Sequence, residues 1–163
     1  MKSQVKLGDE FSDFAMSIFH LNGLLMRSGD VITLSIGQSS ARWQVLGRIG
    51  YEHAPQTVAK IARAMGHARQ SVQRIADVLV KEGLVNYKDN PTDRRTQLLE
   101  LTPQGAEALA AIERLYDQWS EYIRSKLDLE QLAKITAGLD DVGRILEADD
   151  PYTNPTGEHP SQE

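Results

Sequence analysis

Asp93-Arg94-Arg95, with five residues between Arg95 and Leu101-Thr102, is the part of this chain whose residue types and spacing can do chemistry. Arginine is always charged and weakly hydrated, so it can enter the narrow, electronegative minor groove of DNA or bind its phosphates. The Asp93 carboxylate can pair with a neighbouring arginine or cap the loop amides, holding such a tip in one shape. An exposed hairpin tip has no folding need for two adjacent arginines. A second set lies upstream. Arg69, Gln70, Gln73 and Arg74 stand opposite the apolar stripe of one helix, near its start. Arginine can bind guanine O6/N7 and glutamine adenine N6/N7, each through two hydrogen bonds. Ser71, in the same early turns, is short enough to reach a phosphate or a base edge. Lys81 and Lys88 add positive charge between the two sets.

These groups need elements to position them. Apolar residues at helical spacing predict a first helix over 9–28 (Phe11, Phe14, Ile18, Leu21, Leu25), broken by Gly29-Asp30 and Gly37. Ser39 or Ser40 can N-cap a second helix from Ala41 to about Gly50. Residues 53–56 read as a turn. Thr57 is a good N-cap for a short third helix with Val58, Ile61, Ala62 and Met65 inward, ended by Gly66. A fourth helix follows from about Ala68 to Glu82, with Val72, Ile75, Leu79 and Val80 inward, ended by Gly83. Two short helices around a tight glycine turn form a helix–turn–helix, whose second helix can lie in a DNA major groove. Residues 84–88 and 97–101 then read as two strands of a hairpin around an Asp/Asn/Pro loop, a wing. Thr102 and Pro103, as N-cap and first helical residue, restart helix. The fifth helix runs to about Lys126 and the sixth from Asp128 to about Ala148. From Asp149 the chain is rich in Pro, Asp and Thr and reads as an irregular tail.

The fold class expected is mainly α with a small β part: about six helices and a hairpin wing. One domain spans 1–163. Within it, 39–102 is the winged helix–turn–helix lobe, 9–34 and 103–148 a helical region, and 149–163 the tail.

The overall charge of −5 looks wrong for a protein that binds nucleic acid, but its distribution is uneven. Residues 57–105 carry eight basic and five acidic residues, whereas 106–163 carry five basic and thirteen acidic. Fields at a DNA surface depend on charge within about 10 Å, so the middle third can face phosphates while the acidic third stays away. The chain has no cysteine, which excludes disulfides, cysteine-based zinc sites and thiol redox sensing. Its four histidines (His20, His53, His67, His159) lack metal-ligand spacing, and no cofactor is expected. No apolar run approaches the ~20 residues of a membrane helix. Met1 to Asp9 lacks the apolar stretch of a signal peptide, so a cytoplasmic location is expected.

In these motifs the chain closely resembles the MarR family of bacterial transcriptional regulators. The family's wing pattern, D-x-R, five residues, then L-T, stands complete from Asp93 to Thr102. Ala41–Leu46, Val58–Gly66 and Val78–Val85 also look like the family's segments, and the resemblance spans about residues 9 to 147. It implies a homodimer held by the first, fifth and sixth helices, reading a palindromic DNA operator with two winged lobes. The apolar stripes of those helices agree, since they exceed what one lobe of this size needs. The resemblance further implies that Arg95 is the minor-groove arginine and Asp93 its structural partner, with Ser40, Arg42 and Thr57 near the DNA backbone. One departure is Ala68 where the family often has a Ser or Thr cap, which forfeits about 1 kcal/mol.

Many members of the family release DNA on binding a small aromatic anion between the two parts of the molecule. His20, Trp43 and Met65 are candidates to line such a site. The expectation is therefore a dimeric, sequence-specific DNA-binding regulator, a repressor released by a small-molecule effector, with an activator as the lesser alternative. An enzyme is the first competing class, but the chain has no Gly-rich phosphate loop, Gly-x-Ser-x-Gly or paired motif carboxylates. The second is a winged-helix protein–protein module without DNA reading, a class that usually lacks the arginine tip kept here.

Overall fold

A computed structural model describes residues 9–52 and 54–148. His53 and the tail from 149 lie outside the described residues. Among the described residues, six helices and three short strands follow one another as α1 (Asp9–Leu34), α2 (Ser40–Gly50), β1 (Gln56–Thr57), α3 (Val58–Ala64), α4 (Arg69–Lys81), β2 (Val85–Asp89), β3 (Gln97–Leu101), α5 (Pro103–Arg124) and α6 (Leu129–Ala148). Internal contacts divide the chain into a unit up to Asp117 and a second from Gln118.

The first unit is a winged helix–turn–helix. Its core is a cluster of Val45, Leu46 and Ile49 from α2, Val58 and Ile61 from α3, and Val72, Ala76 and Leu79 from α4. Leu99 of β3 and Ile112 of α5 close it. Burying each large side chain contributes about 1.5–3 kcal/mol. On α4 the buried stripe includes Ala76, while Ile75 and Val80 are only half-buried. The expected caps are in place: Ser39 accepts from the Arg42 amide (3.3 Å), Thr57 from Lys60 (3.2 Å) and Thr102 from Gly105 (2.9 Å). Ala68 makes no side-chain cap, and α4 starts one residue later, at Arg69. Gly66 and Gly83 end α3 and α4 with φ of +63° and +74°, a conformation other L-residues rarely adopt.

Two sequence expectations are corrected. Gly29-Asp30 does not break α1, which continues to Leu34. Gly29 is small for a packing reason: a Cβ there would stand 2.4 Å from Ser40 Oγ, so the glycine lets α2 approach α1. Asp30 Oδ1 accepts the Ser40 amide at 2.7 Å, fixing the entry of α2. The wing hairpin also has a third partner. Gln56 and Thr57, read as turn and cap, pair antiparallel with Leu99 and Leu98, giving the order β1-β3-β2. In the second unit, Asp128 caps α6 by accepting the Glu130 amide at 2.9 Å, and no residue of α6 is buried. Among the described residues no helix is long and apolar enough to cross a membrane.

Candidate nucleic-acid interface

Helix α4 is amphipathic, so burial of Val72, Ala76 and Leu79 turns Arg69, Gln70, Ser71 and Arg74 outward, where all four are exposed. None of the four makes a side-chain hydrogen bond or ion pair within the described residues. Gln73 differs. It is half-buried, and its Nε2 donates to Asp77 Oδ1 (2.9 Å) and to the Tyr87 hydroxyl (2.5 Å). Tyr87 in turn donates to Asp77 Oδ1 at 2.6 Å. The Tyr87 hydroxyl is pushed up to about 12 by burial and then by the Asp77 carboxylate, and stays protonated. Asp77 is held below its usual range, chiefly by the Tyr87 hydroxyl and then by the Gln73 amide.

The wing loop is tied by short polar side chains. Asp93 Oδ1 accepts the Arg95 amide at 3.0 Å, so its carboxylate caps the loop and makes no ion pair with Arg94 or Arg95. Thr96 Oγ1 donates to Asp93 and accepts from Asn90 Nδ2 at 2.9 Å. Buried Asn90 closes the other side by accepting from the Thr92 amide and hydroxyl. With the loop held from below, Arg94 and Arg95 stay exposed. Asn90 and Thr96 were not singled out from the sequence, although an Asx residue opening a loop is a turn signal.

One cleft of about 160 Å³ joins these parts. Thr57 of the α3 cap, Arg69 and Gln73 of α4, Tyr87 of β2 and Arg95 of the wing all line it. Thr57 accepts a backbone amide and still has its hydroxyl proton to donate. Lys81 is exposed near the C-terminal end of α4. Lys88 lies 3.4 Å from Glu100 across the hairpin, which offsets part of its charge. Arg42 is held by Glu82 at 2.9 Å, linking α2 to the end of α4. Ser40 is a correction. It is 2% exposed beneath α1, with its hydroxyl 3.5 Å from Met26 Sδ, and packs two helices where a phosphate cannot reach.

A second cavity, about 450 Å³, lies beside α2. Trp43, Arg48, Tyr51, Met65 and Tyr116 line it, with the Trp43 and Tyr116 rings 5.1 Å apart. Arg48 Nε is buried, with no hydrogen-bond partner among the described residues. Burial, followed by the Glu113 carboxylate, raises the Tyr51 hydroxyl to about 12. Trp43 and Met65 are thus brought together at this cavity. His20 is not: it is exposed on α1 and does not line this cavity.

A profile of the MarR family matches residues 36–96. An uncharacterized protein of Mycobacterium tuberculosis is 41% identical over 106 residues, which cover 65% of this chain and 73% of that protein. The transcriptional repressor MprA of Escherichia coli K12 is 33% identical over 100 residues, covering 55% of this chain and 57% of the repressor. Among solved structures, a MarR mutant from Escherichia coli complexed with operator DNA superposes with a TM-score of 0.73 at 23% identity. That match covers 85% of this chain and 99% of the other.

Proposed function

The chain belongs to the MarR family of transcription regulators, and we propose that it acts as a homodimer that reads a palindromic operator and represses transcription until a small aromatic anion releases it. The observation that carries the reading is the cleft where α3 cap, α4 and wing arginine meet. In it, α4 would lie in the major groove, with Arg69, Gln70, Ser71 and Arg74 at base edges and phosphates. Thr57, Arg42, Lys81 and Lys88 would face the backbone, and Arg94 and Arg95 would reach the flanking minor groove. Asp93 would act only by shaping the loop.

Support for a dimer comes from each unit separately. On α1, Phe11, Met16, Phe19, Val31 and Leu34 are well exposed, and α6 leaves Leu129, Leu132, Ile135 and Ile145 exposed. A monomer rarely leaves so much apolar side chain in water, and covering it in a symmetric pair resolves the cost. Support for an effector comes from the α2 cavity. An aromatic carboxylate would stack on Trp43 and Tyr116 and give Arg48 Nε the acceptor it lacks. It would favour one lobe spacing, at which both half-sites cannot be met together.

The test is binding of the purified chain to its own upstream intergenic DNA, with mass measured by light scattering. A dimer that prefers this DNA to a random duplex, with steep salt dependence, supports the reading. A monomer, or equal affinity for both duplexes, defeats it.

A further inference from the structure

Arg69 and Arg95 stand on different elements, the first turn of α4 and the wing, yet both line the cleft of about 160 Å³ between them. Arg94, one residue earlier, does not line it. No acidic residue lines this cleft, whereas the one beside Ile49 and Leu99 carries Glu52 and Glu100. The Asp93 carboxylate is taken up by the Arg95 amide and the Thr96 hydroxyl. Among the described residues neither arginine makes an ion pair, so two like charges share a small space with nothing to offset them. Thr57, on a third wall, accepts the Lys60 amide and keeps a hydroxyl proton to donate. The cleft also has a defined place on a duplex. Two adjacent grooves are separated by one sugar–phosphate strand, so a lobe with α4 in one groove and a wing at the next must straddle that strand.

We propose that the cleft seats a single phosphate of that strand, clamped by Arg69 from α4 and Arg95 from the wing, with the Thr57 hydroxyl donating to the same group. The inference rests on the DNA-reading assignment of α4 and narrows it. Arg69 serves the backbone and not a base edge. Arg95 stops at the wall of the minor groove, and Arg94, outside the cleft, is the arginine left to enter it. Arginine suits such a seat because its planar fork matches phosphate oxygens in pairs. The seat carries no base information. It fixes register, since helix and wing are both referred to one point on the backbone. The two arginines therefore act as a pair on one target, and removing either one releases the same phosphate.

The experiment selects an operator from a randomised duplex library with the full chain. Each backbone phosphate is then replaced in turn by an uncharged methylphosphonate, and the affinity is measured. One position in each half-site is expected to lose roughly ten-fold or more, the size of a charge-assisted contact. In Arg69→Ala and in Arg95→Ala that loss shrinks at the same position, while the other positions keep theirs. Circular dichroism on each variant establishes that the fold persists. A purely structural role would weaken every duplex alike and leave the profile of losses unchanged. Three results overturn the proposal. The two variants could flatten different positions, or either folded variant could keep the wild-type profile. Orthophosphate at matched ionic strength could displace the operator while no single position responds, which would give the cleft to a free ion. A wild-type protein that selects no motif overturns the DNA-reading assignment itself, and is distinct from all three.

Discussion

Removing the Arg95 side chain separates a structural from a reading role at the wing. The side chain is exposed and makes no ion pair within the described residues, while the Arg95 backbone amide holds Asp93 Oδ1 at 3.0 Å. Alanine keeps that amide bond. Arg95→Ala is therefore expected to change folding stability by no more than about 0.5 kcal/mol. Its effect on DNA binding is electrostatic and countable. Each phosphate neutralised contributes about 0.9 to the slope of log affinity against log salt, and a dimer carries two wings, so the slope should fall by about 1.8. Across a rise from about 50 to 200 mM salt, the variant should lose roughly ten-fold less affinity than the wild type. Fluorescence anisotropy of a labelled operator duplex over a salt series reads this directly, and thermal unfolding supplies the control. An unchanged slope and affinity, with the fold intact, would show that the wing tip does not meet DNA. A large fall in melting temperature would refute the claim that Asp93 and Thr96 hold the loop without the guanidinium.

The other predictions concern different parts of the molecule. A Cβ at Gly105 would sit 1.9 Å from the Leu84 carbonyl oxygen, a backbone atom that cannot swing aside. Gly105→Ala should therefore cost about 1–3 kcal/mol or more in urea unfolding, and an unshifted midpoint would contradict the packing of α5. Asp77 has a depressed folded pKa, so its contribution to stability is present above its ordinary value of 3.8 and lost as pH falls below it through the folded value. The stability gap between wild type and Asp77→Asn should be constant near neutrality and close in acid; a gap that persists in acid would refute the assignment. In a Trp119→Phe background, benzoate should quench Trp43 fluorescence and weaken operator binding, and Arg48→Gln should reduce both effects. Equal quenching in the Arg48 variant would remove the anion from the effector reading.

The sequence was most legible where one residue type has one local consequence. Thr57 and Thr102 cap helices because their oxygens satisfy a backbone amide in the following turn, and Gly66 and Gly83 end helices because they accept positive φ. The wing motif was legible for the same reason, since Asp93 acts on an amide two residues away. What stayed hidden depends on partners distant in the chain. Gly29 looks like a stop until Ser40 is seen against it. β1 is two residues long and has no period to detect. Ser40 could be ranked only by its burial, which places it between two helices. The Gln73 amide is bonded to Tyr87, fourteen positions on, a partner that its neighbours in the chain do not show.

The pairing of Gln56 with Leu99 and Thr57 with Leu98 acts as a clasp on folding. Everything between the two partners, α3, α4, β2 and the wing loop, lies inside a loop of chain that this contact closes. Helices of seven and thirteen residues are marginal in water alone, and an isolated hairpin is little better. Closing the loop costs chain entropy that only the assembled lobe returns. Helix α4 and the wing beside it, the two parts proposed to meet DNA, therefore gain and lose order together, as one cooperative unit. A lesion in the clasp would not produce a regulator with a loose wing and a working helix; it would withdraw both at once.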